Sequence, residues 1–392
     1  MISVREAKKL IYDHAAKLQA ITVPLEEAAG RILAEDVYAI CDIPAFRQSS
    51  MDGYAFKFEE NVTSLKLVGE MAAGTTLNAS IGHGEAYRIF TGAPLPLQAD
   101  TVIMQEKVSL ENDKVVLLDP NLKKGLNARE KGSEIKLGDL AIGKGSLMTP
   151  AAMGFLAGIG IDKVSIVPSP KIAIILTGNE LQQPGSPLAF GQVYESNSFA
   201  LTAALNQMGI TGVEILTAKD DLETLTHILG AALQTHDMVL LTGGVSVGDY
   251  DFVIQATSLC GVKQIFHKVK QKPGKPLYFG KKENKLVFGL PGNPSSVLSC
   301  FYNYVFPAIG LLNNSFIKVK IVTAILIAGY RKPSGLTHFL KSIYHEGKAK
   351  PLGAQDSYRM SSFAQANCLI CLDEEATEFF PGDEVCALLL PN

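Results

Sequence analysis

The apolar positions near the start of the chain repeat with the spacing of an α-helix. Ser3 and Glu6 form a capping box at its beginning. The residues that share one apolar face are Val4, Ala7, Ile11, Ala15 and Leu18. This pattern predicts a folded N-terminal helix and argues against a secretory signal peptide.

A second helical pattern begins at Pro24, a residue suited to the first turn of a helix. Its apolar face consists of Leu25, Ala28, Ala29, Ile32 and Leu33. Residues 36–40 are predicted to be extended. From residue 65 to residue 144 the pattern changes to short apolar runs separated by Gly, Pro, Asn and Asp, which predicts a β-rich domain.

The pattern becomes an alternation of strands and helices after a linker at 168–170, which follows a predicted helix over 151–157. The predicted strands are 172–176, 213–216, 238–241, 277–279 and 286–288, and the predicted helices are 199–208, 222–233 and an apolar one from Pro294 to about Leu311. This order indicates an open three-layer α/β sheet with helices on both faces. From residue 319 onward, short extended runs predict a small all-β domain.

Composition narrows the function classes. The 392 residues suggest two to four domains, and a net charge of −3 without a dense basic block argues against nucleic-acid or membrane partners. No apolar run approaches the roughly 20 residues of a membrane span, the longest being 321–328, so we expect a soluble cytoplasmic protein. Six cysteines in so long a chain are not a disulfide framework. We interpret Cys368 and Cys371 as packing residues, because residues three apart on a strand face opposite sides.

Three loops follow the predicted strands of the α/β domain and carry its candidate chemistry, at 177–180, 242–251 and 291–296. The carboxyl ends of parallel strands share one edge, where ligands bind, so we expect the first two loops to lie close together. Gly243 and Gly244 would leave backbone N–H groups open to an anion. Asn293 and Pro294 suit the N-cap and first position of a helix, so the N–H groups of the next two residues predict a second anion site.

Lysines and carboxylates flank these loops. Lys272 and Lys275 enclose Pro273-Gly274, and Pro276 follows, which would hold two ammonium groups on a short rigid loop. The opposing acidic residues are Glu180, Asp220, Asp221, Asp249 and Asp251. Carboxylates together with a phosphate are the usual ligands of Mg²⁺. Helix capping before Leu222 is an alternative, and compatible, role for Asp220 and Asp221. The residues alone predict an anion- or nucleotide-binding α/β enzyme that uses Mg²⁺ and lysines.

Several of these stretches, in the same order, resemble the molybdopterin molybdenumtransferase family, to which the C-terminal part of gephyrin also belongs. The matching segments are 50–55 (Ser-Met-Asp-Gly-Tyr-Ala), 91–94 (Thr-Gly-Ala-Pro), 177–181 (Thr-Gly-Asn-Glu-Leu), 243–248 (Gly-Gly-Val-Ser-Val-Gly), 272–276 (Lys-Pro-Gly-Lys-Pro), 291–294 (Pro-Gly-Asn-Pro) and 366–367 (Ala-Asn). The resemblance implies four domains. They are a helical linker domain (1–20, 40–46 and 135–168), an inserted β-rich lever domain (21–39 and 47–134), an α/β molybdopterin-binding domain (169–316) and a small C-terminal β-barrel (317–392).

The resemblance also implies a reaction. Molybdate is inserted into adenylylated molybdopterin with Mg²⁺, and AMP is released as molybdenum cofactor forms. Asp220 and Asp251 would act with Mg²⁺ at the adenylylated phosphate, and Glu180 would be a further catalytic carboxylate. Lys272, Lys275 and Ser296 would contact molybdate. The remaining implied substrate contacts are Gly243, Gly244, Ser246, Pro276, Pro291, Asn293, Pro294 and Ser362.

In the family's homodimer, residues resembling Asp52 and Thr91 approach the site from the partner's lever domain. Taken alone, Asp52 before Gly53 is typical of a turn. A contact with molybdopterin adenylyltransferase is a further implied partner. Two positions depart from the family pattern. Glu134 stands where an aspartate is usual, and Lys341 stands where an arginine is frequent and cannot offer its bidentate fork.

Two other functions stay open at this point. The α/β domain could itself adenylylate molybdopterin, or the chain could be a non-catalytic dimeric scaffold. The gathering of Glu180, Asp251, Lys272 and Lys275 at one edge favours an enzyme. The choice between molybdate and tungstate is not determined by the sequence.

Overall fold

The structure is a computed structural model that describes residues 1–244, 252–314 and 319–391. Contacts divide the chain into two compact units. The larger unit contains Met1–Ile21, Gly30–Ile32 and Val167–Asn392, and the smaller contains Thr22–Ala29 and Leu33–Ile166. The four domain boundaries inferred from the sequence remain a prediction.

The smaller unit contains the β-rich region predicted at 65–144. Its six-stranded sheet has the strand order Thr101–Met104, Gly53–Phe56, Glu85–Ile89, Ser64–Met71, Lys114–Leu117 and Val108–Glu111. Only Ser64–Met71 and Glu85–Ile89 pair in parallel. Buried apolar side chains from five of these strands form one core, including Phe56, Leu65 and Ile103.

A second core in the smaller unit packs around the helix Pro150–Gly158, where Thr149 caps the helix by accepting a hydrogen bond from the Ala152 N–H. The short elements that contribute to this core are Ile21–Pro24, the 3₁₀ turn Leu25–Ala28, Ile32–Leu33, Val37–Tyr38, Leu140–Ile142 and Lys163–Val167. The other short elements of the smaller unit are the paired strands Gln48–Ser49 and Ala128–Arg129 and the 3₁₀ turn Gln105–Lys107. The predicted helix over 25–33 is therefore wrong. Gly30 adopts φ +71°, a left-handed conformation that ends the helical turn before Ile32–Leu33 becomes extended.

The larger unit begins with the predicted N-terminal helix, Val4–His14. Ser3 caps it by accepting a hydrogen bond from the Glu6 N–H at 3.1 Å. Val4, Ala7 and Ile11 are buried, as predicted. The helix ends before the predicted positions Ala15 and Leu18, and the Leu18 N–H instead donates to the Leu312 carbonyl.

The central sheet of this unit confirms the predicted α/β class. Its strand order is Glu214–Ala218, Ile172–Thr177, Met238–Thr242, Lys285–Leu290, Pro276–Lys282 and Lys263–Lys268. The first four strands are parallel and the last two are antiparallel to their neighbours. Alternate residues enter two separate cores, so both faces are buried. The helices of one face are Leu222–Thr235 and Phe252–Leu259, and those of the other include Asn197–Gln207.

The long apolar helix predicted after residue 294 is also present. It consists of Pro294–Cys300, a π-helical turn at Phe301–Val305 and Phe306–Asn313. This continuous helix is long and apolar enough to cross a membrane. The prediction that no apolar segment approaches the length of a membrane span is therefore wrong. Polar residues such as Ser299 and Asn303 interrupt its apolar runs. Because 83% of its apolar window is buried in the protein, the helix is accounted for as a core element.

The C-terminal strands form a closed five-stranded barrel, as the resemblance implies. Around the barrel the order is Thr337–His345, Lys348–Pro351, Lys320–Leu326, Glu384–Leu389 and Cys368–Leu372, which pairs again with Thr337–His345. A further short strand, Gln271–Lys272, pairs in parallel with Thr337 and His338. The remaining small pairs are Tyr330–Arg331 with Glu378–Phe379 and, near the central sheet, Leu181–Gln182 with Val193–Tyr194.

Candidate functional site

The parallel strands of the central sheet end together and define the edge of the candidate site. Thr177 is in register with Ala218, and Thr242 is in register with Leu290. The loops that follow these four residues therefore leave the sheet along one edge, where open α/β sheets bind ligands. Glu180, Asp220, Gly243 and Pro291 all belong to these loops. The expected proximity of the first two predicted loops agrees with this register.

Glycines allow the loops to approach one another. A Cβ atom on Gly243 would lie 2.5 Å from the Thr177 carbonyl oxygen, so the backbone passes where no side chain fits. A Cβ atom on Gly292 would lie 3.8 Å from the Gly243 Cα. The Thr177 hydroxyl also donates to the Thr242 carbonyl at 3.2 Å. Three consecutive loops of the edge are thus in close contact.

The acidic residues at this edge have different surroundings. The Asp221 carboxylate caps the helix Leu222–Thr235 by accepting from the Thr224 N–H at 2.8 Å, and this bond lowers the pKa of Asp221. Asp220 is exposed, and among the described residues its carboxylate accepts no hydrogen bond. The Glu180 carboxylate folds back over Gly178, which has φ +144°. Capping therefore occupies Asp221 and leaves Asp220 available.

The lysine loop is built against the long buried helix. Gln271 is almost fully buried, donates to the Gly274 carbonyl at 2.8 Å and accepts a hydrogen bond from the Tyr304 hydroxyl. A Cβ atom on Gly274 would lie 2.5 Å from Cys300 Sγ and 3.7 Å from the Ser296 carbonyl oxygen. Lys272 and Lys275 remain exposed. The loop therefore holds two exposed ammonium groups beside the helix turn that contains Ser296.

The first turn of that helix corrects one prediction. Asn293 is the N-cap residue and Pro294 opens the helix, as predicted. The Ser295 N–H, however, is not free for an anion, because it donates to the Ser357 carbonyl at 3.2 Å. The Asn293 side-chain amide also donates to the Ser357 hydroxyl at 3.0 Å. A loop of the barrel region, 352–362, thus covers this helix terminus, and sequence spacing gave no signal of it.

Lys341 holds the covering loop in place. Its side chain is 1% exposed, and its ammonium donates to the carbonyls of Ala354, Asp356 and Arg359 at 2.8, 3.2 and 3.0 Å. Burial lowers the pKa of Lys341. The Ser362 hydroxyl donates to the Ala354 carbonyl at 2.8 Å, also inside the loop. Both residues are engaged with backbone, and direct contact of Ser362 with substrate remains a prediction.

Ala354, the residue at which these bonds meet, has φ +54°. A side chain with a Cβ costs about 1–2 kcal/mol in this left-handed conformation, and glycine relieves most of that cost. We expect Ala354→Gly to raise the free energy of unfolding by about 0.5–1 kcal/mol, measured by urea denaturation. Ala366→Gly, at a neighbouring position without positive φ, is the matched control and should lower it. Equal effects of both substitutions would contradict the assignment of strain to Ala354.

His338 lies beside the lysine loop, in register with Lys272. Burial, together with Lys272 and Lys332, lowers the pKa of His338 to about 4, so the ring is neutral at pH 7. An unfolded histidine binds a proton near pH 6.5, so the unfolded state binds more protons than the folded state between the two pKa values. The contribution of His338 to the free energy of unfolding is therefore fully present above pH 6.5 and is lost as the pH falls toward 4.

We expect the free energy of unfolding to decrease by about 2 kcal/mol from this residue alone between pH 7 and pH 5. Urea denaturation of the wild-type protein and of His338→Gln at the two pH values measures the contribution. The variant should lose that part of the pH dependence. An unchanged dependence in a folded His338→Gln protein would exclude His338 as its source.

Asp52 and Thr91 come together within the smaller unit. One Asp52 carboxylate oxygen accepts from both the Thr91 N–H at 2.7 Å and the Thr91 hydroxyl at 2.8 Å. These bonds lower the pKa of Asp52. The turn role suggested by the sequence is thus joined by a defined loop-to-loop contact, and a catalytic role for either residue remains a prediction.

Other predicted site residues have varied positions. Ser246, Asp249 and Asp251 lie outside the described residues. Pro276 begins a sheet strand, Pro291 is buried, and Glu134 is exposed. Asn197 was missed by the sequence analysis. Its amide donates to the Gly292 carbonyl at 3.0 Å, and its side-chain oxygen is buried without a hydrogen-bond partner in the described structure.

Among the described residues, no three or more His, Cys, Asp or Glu side chains lie close enough together to hold a metal ion by themselves. Mg²⁺ needs less, because it retains waters and takes one or two carboxylates besides substrate phosphates. The available Asp220 oxygen fits that limited requirement. The loop that contains Glu180 is next to Asp220, because the Asp220 N–H donates to the side-chain oxygen of Asn179, the residue before Glu180, at 3.4 Å.

The comparisons with known proteins agree with this architecture. Residues 2–160 match the family described as "MoeA N-terminal region (domain I and II)", residues 173–310 match "Probable molybdopterin binding domain", and residues 323–390 match "MoeA C-terminal region (domain IV)". A molybdopterin biosynthesis MoeA protein from Pyrococcus horikoshii superposes with a TM-score of 0.83 at 31% identity, with both chains fully covered. The protein therefore has a MoeA-like multidomain fold with a molybdopterin-binding α/β domain.

Curated relatives define the family. The molybdopterin molybdenumtransferase of Haemophilus influenzae is 33% identical over 98% of each chain. That of Staphylococcus aureus is 32% identical over 99% of this chain and 95% of its own length. The chain belongs to the molybdopterin molybdenumtransferase family and is an enzyme of molybdenum cofactor biosynthesis.

Proposed function

We propose that this enzyme inserts molybdate into adenylylated molybdopterin, with Mg²⁺ and with release of AMP. The observation that carries the proposal is the placement of two kinds of charge, carboxylates on the loops of the sheet edge and lysines beside the helix that follows the same edge. Exposed carboxylates of Glu180 and Asp220 follow the parallel strands, and the lysine loop lies against the helix that begins beyond the same edge. A reaction between a phosphoanhydride substrate and a separate oxyanion needs both kinds of group.

The lysines and acids would divide the chemistry. Lys272 and Lys275 would neutralise molybdate, because their ammonium groups are exposed on a loop fixed by Gln271. Asp220 and Asp251 would hold Mg²⁺, which when bound would stabilise negative charge on the phosphates. The neighbouring loop glycines would bring backbone close to the substrate. Asn197 would keep the Gly292 turn in position through its 3.0 Å hydrogen bond.

The direct test measures AMP released from purified adenylylated molybdopterin. We expect release to require both Mg²⁺ and molybdate, and a repeat with tungstate determines the choice of oxyanion. Incubation with molybdopterin and ATP tests the alternative, in which the molybdopterin-binding domain adenylylates molybdopterin. Robust adenylylation without molybdate-dependent AMP release would overturn the proposal. Loss of both reactions in a folded dimer would favour a scaffold.

We also propose a cytoplasmic location and supply of the substrate by a molybdopterin adenylyltransferase. A pull-down with purified adenylyltransferase, with and without adenylylated molybdopterin, examines whether the two enzymes contact one another.

We also propose a homodimer in which Asp52 and Thr91 of one subunit complete the site of the other. Mixing an Asp52→Ala chain with a Lys275→Ala chain should then restore about half of wild-type activity per mixed dimer, since one of its two sites contains neither substitution. Asp42→Ala is the control, because it removes a partly buried loop carboxylate elsewhere in the smaller unit that likewise accepts from a backbone N–H, that of Leu137. Absence of recovery in demonstrated mixed dimers would contradict the shared site.

A further inference from the structure

Two cysteines that are far apart in sequence lie opposite one another in the barrel. Cys371 on the strand Cys368–Leu372 is in register with Cys386 on the antiparallel strand Glu384–Leu389. Directly opposite residues of antiparallel strands have Cα atoms about 4.5 or 5.5 Å apart. Both separations are within the range of about 4.4–6.8 Å that a disulfide requires. The spatial partner of Cys371 is therefore Cys386 rather than Cys368.

The two thiols also share a face. Ile370, Leu372, Val385 and Ala387 belong to the core enclosed by the barrel. Because side chains alternate along a strand, the intervening Cys371 and Cys386 point outward together. Cys371 packs against the core of the larger unit and is partly buried, whereas Cys386 is exposed. A reagent can thus reach one thiol of the pair from solvent.

A cation from the N-terminal helix lies near this pair. The Lys8 ammonium donates to the Asn303 side chain at 3.2 Å and lies 5.9 Å from the centre of the Phe339 ring. Phe339 is the cross-strand neighbour of Cys371 on its other side. The positive charge of Lys8 opposes the rise in the pKa of both thiols that burial causes. A nearby ammonium favours the thiolate, which is the reactive form of cysteine.

We propose that Cys371 and Cys386 form a thiol–disulfide modification site that low-molecular-weight disulfides oxidise to an intramolecular cross-strand disulfide. The Cys386 thiolate, its proton having passed to solvent, attacks one sulfur of the reagent disulfide and releases the first thiolate. The Cys371 thiolate then attacks Cys386 Sγ, forms the protein disulfide and releases the second. Two protein thiols are oxidised as one reagent disulfide is reduced to two thiols.

Oxidised glutathione added to the folded full-length protein tests the site. The oxidised protein must be digested with a protease that cleaves after glutamate. Residues 360–392 contain no Lys or Arg, so trypsin would leave Cys368, Cys371 and Cys386 in one peptide. Cleavage after Glu374 or Glu384 separates Cys371 from Cys386. We expect a cross-linked pair of peptides that has lost two hydrogen atoms and that dithiothreitol separates.

Variants identify the reacting residues. The cross-link should persist in Cys368→Ser and disappear in Cys371→Ser, since Cys368 is fully buried and burial raises its pKa to about 12. Lys8→Met should slow cross-linking by a factor of about 3–10, the change in thiolate fraction when a thiol pKa rises by about half a unit to one unit. Lys9→Met is the matched control, because Lys9 is exposed and pairs with Asp13.

Three results would overturn the proposal. They are a stable glutathione adduct on Cys386 that does not proceed to the protein disulfide, a cross-link that involves Cys368, and no reaction of the folded wild-type protein. Equal rates in Lys8→Met and Lys9→Met would remove Lys8 from the site. Circular dichroism of each variant shows whether a loss of reaction reflects unfolding. None of these readouts depends on the proposed catalytic reaction.

Discussion

Replacing Asp220 by asparagine is expected to lower the rate of Mg²⁺-dependent AMP release by about 100-fold or more, because the substitution removes a carboxylate that the proposed metal needs. The fold should be unaffected, since Asp220 is exposed and its carboxylate accepts no hydrogen bond within the described residues. The measurement is AMP release as a function of Mg²⁺ concentration. The loss should be partly compensated at high Mg²⁺, as expected for weakened metal binding.

The adjacent Asp221→Asn provides the matched control. Asparagine also serves as an N-cap, so the helix Leu222–Thr235 should lose at most about 1 kcal/mol of stability, and activity should remain close to that of the wild-type enzyme. A large loss of activity in Asp221→Asn with normal turnover in Asp220→Asn would exchange the roles assigned to the two residues. Asp251→Asn should behave as Asp220→Asn does.

The second large effect is expected at Lys341. Lys341→Met removes the buried ammonium that joins three carbonyls of the loop 352–362 and should lower the free energy of unfolding by about 3 kcal/mol, because these carbonyls would lose a shared charged donor. Urea denaturation measures this change. Lys9→Met, at an exposed ion pair, should change the stability by less than about 0.5 kcal/mol.

Lys341→Arg separates loop positioning from oxyanion contact. If Lys341 positions the loop, arginine, with its larger planar group, should destabilise the protein without improving the KM for molybdate. If Lys341 contacts the oxyanion directly, arginine should lower that KM, because it can bind in a bidentate way. A lower KM together with unchanged stability would contradict the positioning role.

The fold was largely predictable because its signals are local. Strand runs such as Ile172–Thr177 and Met238–Thr242 are buried on both faces and appear as continuous apolar segments. The caps at Ser3, Thr149 and Asn293 are visible as short motifs. The helix predicted after Pro24 failed because the conformation of Gly30 outweighed the apolar periodicity that precedes it.

The candidate site was less predictable because its contacts join distant segments. The hydrogen bond from the Ser295 N–H to the Ser357 carbonyl connects residues that are far apart in sequence, so no local pattern predicts it. The same is true of Lys341 with Ala354 and of Cys371 with Cys386. The Cys-x-x-Cys spacing, interpreted as packing, gave no sign of Cys386, because only the strand register identifies the residue opposite Cys371 in the sheet. Helix capping was open to both Asp220 and Asp221 from the sequence, and the hydrogen bond from the Thr224 N–H assigns it to Asp221.

The short strand Gln271–Lys272 has a mechanical consequence. Lys272 opens the lysine loop, and the strand also extends the barrel by pairing with Thr337 and His338. A ligand-induced displacement of the barrel strand Thr337–His345 would therefore be transmitted to the Lys272 backbone. A hinge motion between the barrel and the lysine loop would have to break the backbone pairing of these two strands. The barrel strand and the lysine loop should therefore move together as one rigid body.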